Sequence, residues 1–293
     1  MKKGILWATV VAWPALALVT LSALASRRMT RRQPPDPMHS PAEYGLPFEE
    51  IAFLSRDSIP LRGWFIPAPS SRGTIIFCPG YTGSMDSDLL YAPAFHAHGY
   101  NVLMFDFRGH GRSGGNVITM GYHERQDVLA AIEFLGRRGI HRVGLLGFSM
   151  GGAVAMSTAP LSPAVQAVVS DGGFARLEAL ISGSLASKGV PALLATLMGK
   201  LIMSMMSLWL GCPLREADPI RWVDKIAPRG LFLIHGARDR LVPTSDVRLL
   251  FERAGEPKKL WIEPNAGHRQ VDKMAPERYL ATILEFFDSF FPP

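Results

Sequence analysis

His141–Ala159, HRVGLLGFSMGGAVAMSTA, is the stretch on which the fold turns. Val143–Phe148 is a short apolar run of strand type, and small residues after it (Gly152, Ala153, Ala155, Ala159) start a helix. Between them lies Gly147-Phe148-Ser149-Met150-Gly151, a G-x-S-x-G turn in the strand–turn–helix setting of a nucleophile elbow. The glycines have a steric reason. A serine at such a turn sits in a strained backbone conformation, and its neighbours two residues away must be small for strand and helix to pass close together. The turn lifts the Ser149 hydroxyl clear of the sheet. It also aims the first helical N–H groups, Met150 foremost, at whatever the serine attacks.

The five-residue pattern alone is weak, because the chain contains it twice. Gly111-Arg112-Ser113-Gly114-Gly115 also matches. It follows Arg108-Gly109-His110, with no apolar run leading in and no helical periodicity leading out. It reads as a loop, and Ser113 is rejected as a nucleophile.

The 293 residues are 48% hydrophobic, enough for a sizeable α/β core. Cys78 and Cys212 have no metal-type spacing and read as buried free thiols. The net charge of +6 is unevenly placed. Lys2, Lys3, Arg27, Arg28, Arg31 and Arg32 account for it, leaving 25 basic residues against 25 acidic ones over residues 34–293. The excess is a membrane-flank signal rather than a nucleic-acid patch, and no aromatic-basic interleaving points to nucleic acid elsewhere.

Gly4–Ala25 carries no charge across 22 residues, which at about 1.5 Å per residue crosses a hydrocarbon core of about 30 Å. Residues 1–33 are therefore read as an N-terminal transmembrane anchor with basic flanks. A cleaved signal peptide is the alternative, supported by Ala23-Leu24-Ala25, and would make the protein secreted or periplasmic. The apolar region is longer than a signal peptide needs, and four arginines follow it. Positive charge on both sides leaves the membrane face open. Residues 34–47, with Pro34, Pro35, Pro37, Pro41 and Pro47, read as a stiff linker.

Residues 48–293 then alternate strand and helix. Strands are expected at Phe48–Leu54, Leu61–Ile66, Thr74–Cys78, Asn101–Phe105, Val143–Phe148, Val165–Ser170, Gly230–His235 and Lys259–Glu263. Helices are expected at Asp88–His98, Tyr122–Arg138, Ser245–Ala254 and Pro276–Phe291, besides the one after the elbow. The pattern implies an eight-stranded, mainly parallel sheet with helices on both faces. Residues 174–215 interrupt it. From Gly189 to Cys212 the one charge is Lys200. A second membrane span is one reading. The preferred reading is a helical cap lying over the site and buried against the sheet; a sharper hypothesis has Met203, Met205 and Met206 of that cap lining an acyl pocket.

A serine hydroxyl needs a base, and an imidazole base needs an acid to fix its tautomer. Asp239, in His235-Gly236-Ala237-Arg238-Asp239-Arg240-Leu241-Val242-Pro243, follows one expected strand; His268, in Asn265-Ala266-Gly267-His268, follows the last. The order Ser149, Asp239, His268 suits an α/β-hydrolase scaffold. Asp171 also ends a strand and is the rival acid; Asp106 reads as a structural anchor for its Arg-Gly-His-Gly loop. His235 reads as a buried, hydrogen-bonded imidazole. His96, His98, His110, His123 and His141 form no zinc-type set, so neither a metal nor a cofactor is expected.

With Pro79-Gly80-Tyr81, Asp106–Gly111, Gly147–Gly151, Gly236-x-x-Asp239 and Gly267-His268 in view, the chain resembles α/β-hydrolases of the serine-aminopeptidase/monoglyceride-lipase-like branch. It also resembles membrane-tethered abhydrolase-domain proteins, and the resemblance covers about residues 48–291. The resemblance implies an α/β-hydrolase fold with Ser149 as nucleophile, Asp239 as orienting acid and His268 as base. It implies an oxyanion hole made by the backbone N–H groups of Tyr81 and Met150. Many relatives carry His-Gly where this chain has Pro79-Gly80; the donor follows the glycine, so Tyr81 still serves.

The expected activity is hydrolysis of a carboxylic ester or thioester, on a small-molecule or lipid acyl substrate, through an acyl-enzyme on Ser149. A peptidase or aminopeptidase is the first rival. It needs acids to hold a substrate amine, and Glu178 and Glu216 are the nearest candidates. A non-catalytic binding protein on the same fold is the second rival, and the intact triad weighs against it. Oligomeric state is not legible.

Overall fold

The computed structural model describes residues 2–291, with side chains from residue 13 onward. The elements run α1 (Lys2–Met29), β1 (Glu49–Leu54), β2 (Pro60–Ile66), β3 (Gly73–Cys78), α2 (Ala92–Ala97), β4 (Tyr100–Phe105) and α3 (Glu124–Arg137). After them come β5 (Val143–Phe148), α4 (Met150–Thr158), β6 (Val165–Asp171), α5 (Leu177–Ser187), α6 (Ala192–Leu210) and β7 (Gly230–Gly236). The chain closes with α7 (Thr244–Arg253), β8 (Lys258–Glu263), α8 (Val271–Met274) and α9 (Pro276–Asp288).

The strands form one eight-stranded sheet in the order β1-β2-β4-β3-β5-β6-β7-β8. β2 runs antiparallel to β1 and β4, and every pairing from β4 onward is parallel. All six residues of β4 and of β5 are buried, as a strand covered on both faces requires. Alternate residues point into two separate cores. Ile76, Cys78 and Leu145 pack with α3, α4 and α7 on one face; Ile75, Phe77 and Leu146 pack with α2, α8 and α9 on the other. β3 and β5 are neighbours, while β4 lies beyond β3. The chain thus leaves β3 in one direction and returns on the other side of it, and this switch point opens a crevice at the strands' carboxyl ends.

The strand readings hold to within a residue or two. Asp88–His98 does not form one α-helix. Met85–Tyr91 is a 3₁₀ turn and the α-helix begins at Ala92. Asp86 and Asp88 explain the tighter turn: their carboxylates point inward to Arg112 and Arg269.

Two further expectations change. Residues 34–47 do not stand away from the domain as a spacer. The Asp36 carboxylate accepts from Ser84 N, His39 N donates to Asp86 Oδ1, and Pro41–Tyr44 forms a capped 3₁₀ turn. The basic flank is likewise partly docked: the Arg32 guanidinium donates to the carbonyls of Ser113 and Gly115 at 2.9 Å and of Gly111 at 2.6 Å. The cap is helical, α5 packing on α6, but only one face of α6 is buried: Ile202, Met203 and Met206 enter the same core as Ile76 and Leu145. The helix packs on α5 and α1 and leaves Leu193 (87% exposed), Leu208 (86%) and Trp209 (59%) on its outer face.

Candidate active site

The elbow forms where β5 passes into α4. Ser149 holds φ 51° and ψ −113°, a strained conformation for a residue with a side chain. A Cβ on Gly147 would run into the Gly151 backbone, and one on Gly151 into the Cys78 carbonyl. Strand β3, the turn and α4 close up only because both positions lack side chains. Ser149 N donates to the Asp171 carbonyl at 2.8 Å, which ties the turn to the neighbouring strand end.

Ser149, Asp239 and His268 come together from three strand ends. Ser149 Oγ lies 2.8 Å from His268 Nε2, and His268 Nδ1 lies 2.7 Å from Asp239 Oδ2. The other carboxylate oxygen, Oδ1, accepts from Leu241 N at 2.8 Å and Val242 N at 2.9 Å. The turn after β7 thus orients the acid from behind. Burial raises the pKa of Asp239, but the hydrogen bond and charge of His268 and the two backbone amides outweigh it, holding the carboxyl below its usual range.

The rival acid is occupied elsewhere. Asp171 is fully buried, and its Oδ2 accepts from Tyr279 Oη at 2.9 Å. Burial pushes it up to about 6 against the opposing charge of Arg269. His235 is a buried imidazole behind the acid loop. Its Nε2 lies 2.8 Å from the Val242 carbonyl, and burial holds its pKa low, so Nε2–H donates there as a neutral ring. Asp106 accepts from Met85 N and Arg112 N and pins its loop. Ser113 is buried, its hydroxyl donating to the Asp106 carbonyl at 2.6 Å and accepting from Arg62 N at 2.9 Å.

Tyr81 and Met150 both line the cavity beside Ser149. Neither backbone amide donates to another described residue, which leaves both N–H groups available to a ligand. The Tyr81 loop is braced from two sides that the sequence did not advertise. His110 Nε2 lies 2.7 Å from the Tyr81 carbonyl oxygen. The Tyr81 phenol donates to the Met29 carbonyl at 3.0 Å and accepts from Gln33 Nε2 at 3.1 Å. Arg269, next to His268, is a second unadvertised residue. It pairs with buried Asp88 at 2.7 Å and stacks 4.2 Å over the Phe148 ring, holding the histidine loop down.

The cavity measures about 530 Å³. Its lining joins the elbow and His268 to Phe174 just before the cap, to Ile181 and Ile202 on the cap helices α5 and α6, and to Ala25, Arg28 and Met29 at the end of α1. Met203, Met205 and Met206 are not part of it. Met203 and Met206 are buried in the core beneath α6, and Met205 faces α1. The lining methionines are Met29, Met120 and Met150. Ile202 is the α6 residue that lines the cavity; Met206, one turn further along the same stripe, packs into the core beyond it. No group of three His, Cys, Asp or Glu residues stands in a metal-holding arrangement among the described residues.

A mainly parallel eight-stranded sheet, covered on both faces and carrying a serine elbow at its central strand, makes this an α/β-hydrolase. The model of the serine aminopeptidase S33 family matches residues 69–223, and the chain belongs to that family. The YqkD protein of Bacillus subtilis (strain 168) is 29% identical over 248 residues, covering 82% of this chain and 80% of its own. The bem46 protein of Schizosaccharomyces pombe is 25% identical over 262 residues, covering 84% and 79%. Among solved structures, the Pyrococcus furiosus esterase Pf2001 superposes with a TM-score of 0.76 at 27% identity, covering 89% of this chain and 98% of that one.

Proposed function

We propose that this hydrolase cleaves a carboxylic ester or thioester through an acyl-enzyme on Ser149. The observation that carries the reading is the unbroken line from Ser149 Oγ to His268 at 2.8 Å and from His268 to Asp239 at 2.7 Å. His268 Nε2 takes the serine proton as Oγ attacks the acyl carbonyl, and Asp239 stabilises the imidazolium that forms. The Tyr81 and Met150 amides stabilise the tetrahedral oxyanion. The leaving group departs with the proton from His268, and water releases the acyl group by the same steps in reverse.

The likeness to a protein named as an esterase supports this reading. A peptidase that holds a substrate amine needs carboxylates, and no Asp or Glu side chain lines the cavity. Glu178 is instead paired with Arg215.

Residues 1–33 act, in this reading, as a single-pass anchor. Among the described residues searched, Ala192–Leu210 is the one helix long and apolar enough to cross a membrane, and it is internal. In α1, Trp13, Leu16, Leu21 and Leu24 are exposed, as are Leu193, Leu208 and Trp209 on the adjoining α6. Apolar surface of this extent on two packed helices favours contact with lipid acyl chains. Carbonate washing of membranes should leave the full chain in the pellet, and recovery in the supernatant would exclude the anchor.

The activity is tested with p-nitrophenyl esters of increasing chain length and an acyl thioester, using detergent-solubilised full chain with Ser149→Ala beside it. Turnover that needs Ser149 and peaks at medium or long chains is expected. Turnover that survives in Ser149→Ala excludes the acyl-enzyme.

A further inference from the structure

The cavity beside Ser149 has two unlike ends. Its inner lining is apolar and buried: Met120, Phe174, Ile181 and Ile202. Its outer lining carries Arg28, from the last turn of α1, and Lys188, from the end of α5; both are exposed. Arg269 also reaches the lining, but its charge is paired with Asp88. Neither Arg28 nor Lys188 is ion-paired with a described residue, and no carboxylate side chain lines the cavity. The charge of Arg28 is felt inside the site: burial pushes the Tyr81 phenol up to about 12, and Arg28 opposes that rise.

A cleft lined by charge of one sign, with low-dielectric walls, concentrates the counter-ion. Two cations drawn from separate elements to one mouth, with no acid between them, repel each other until an anion arrives. The buried apolar end suits an acyl chain, so the anion belongs on the alcohol side of the scissile bond.

We propose that the substrate is an acyl ester whose alcohol portion carries a negative charge, such as a phosphate-bearing lipid monoester. Arg28 and Lys188 hold that charge at the mouth while the chain lies inward against Phe174, Ile181 and Ile202. This rests on the acyl-hydrolase reading above. Ser149 Oγ adds to the acyl carbonyl, and the acyl C–O bond to the alcohol breaks as the tetrahedral intermediate collapses. The anionic alcohol leaves with the proton from His268, and water then takes the acyl group. The end of α1 thereby becomes part of the substrate site as well as a tether.

The test uses two soluble esters of one short acyl chain in the full-length, detergent-solubilised protein: 4-hexanoyloxybenzenesulfonate, with a permanently charged leaving group, and neutral 4-nitrophenyl hexanoate. The readout is the ratio of their kcat/KM values, which cancels general damage to the site. The charge reversal Arg28→Glu with Lys188→Glu should lower that ratio about tenfold or more, Arg28→Gln and Lys188→Gln by about threefold each, and added salt should lower it in the wild type. A ratio unmoved by the substitutions overturns the proposal, whether both rates fall together or neither changes. Equal falls would mark a structural role; no change would mark cations that serve the membrane flank alone. Wild-type protein inactive on both esters would instead remove the underlying acyl-hydrolase reading.

Discussion

The chain carries the same five-residue pattern twice, and the two copies do opposite things. At Gly147–Gly151 a buried strand drives into a turn so tight that the glycines touch backbone, and Ser149 is left at φ 51° with its hydroxyl on His268. At Gly111–Gly115 no strand leads in. Ser113 turns inward, its hydroxyl bonded to Asp106 O and Arg62 N, and the loop's outward carbonyls receive Arg32 from the N-terminal segment. One copy presents its hydroxyl to an imidazole; the other fastens the segment that leads to α1. Small residues around a serine make either outcome sterically possible, and the element in front of them decides which is adopted.

The sharpest way to break this contrast is to remove each serine. Ser149→Ala should cost roughly 10⁴- to 10⁶-fold in kcat on a short ester, with a normal unfolding curve. Retention of activity would end the nucleophile assignment. Next in size is the acid. Asp239→Asn should lower kcat about 10⁴-fold by disfavouring the productive tautomer, whereas Asp171→Asn should not approach that loss. The same initial-rate assay decides between them.

Asp171 has a different signature, in stability against pH. Its pKa in the fold, about 6, lies above the ordinary carboxylate value because burial disfavours the charge. The native state therefore binds that proton more tightly than the unfolded chain does. Its contribution is full below a pH of about 4 and is lost as pH rises through about 6, a span worth up to about 3 kcal/mol. Urea unfolding of the wild type and of Asp171→Asn at pH 4.5 and 7 should show the smaller pH dependence in the variant. Identical dependence would remove Asp171 as the source.

The smallest effect belongs to the second copy of the pattern. Ser113→Ala leaves the Arg62 amide and Asp106 carbonyl unpartnered and should destabilise by about 1–2 kcal/mol. Activity on a short ester should stay within about twofold of wild type at a temperature where both are folded. A kcat loss comparable to that of Ser149→Ala would erase the distinction between the two copies.

The floor of the site was legible because its signals are local. Apolar runs such as Val143–Phe148 mark strands, and small residues mark the elbow. Ser149, Asp239 and His268 each follow a strand, and parallel pairing brings those strand ends to one edge of the sheet. The roof was not legible, because long-range side-chain docking sets it. Nothing in Met29 or Gln33 announces that each bonds the Tyr81 phenol, or in His110 that its ring meets the Tyr81 carbonyl. The methionines of α6 were misread for a related reason. The segment is apolar nearly all round, so periodicity could not say which face looks down, and Ile202 turned out to face the cavity.

The most direct measurement is to react the folded, detergent-solubilised protein with a fluorophosphonate and map the adduct by peptide mass spectrometry. A single adduct on the peptide containing Ser149, blocked by prior reaction with an ester-like inhibitor, is the predicted result. An adduct on Ser113, or none on protein that unfolds cooperatively, would contradict the assignment of Ser149 as the nucleophile.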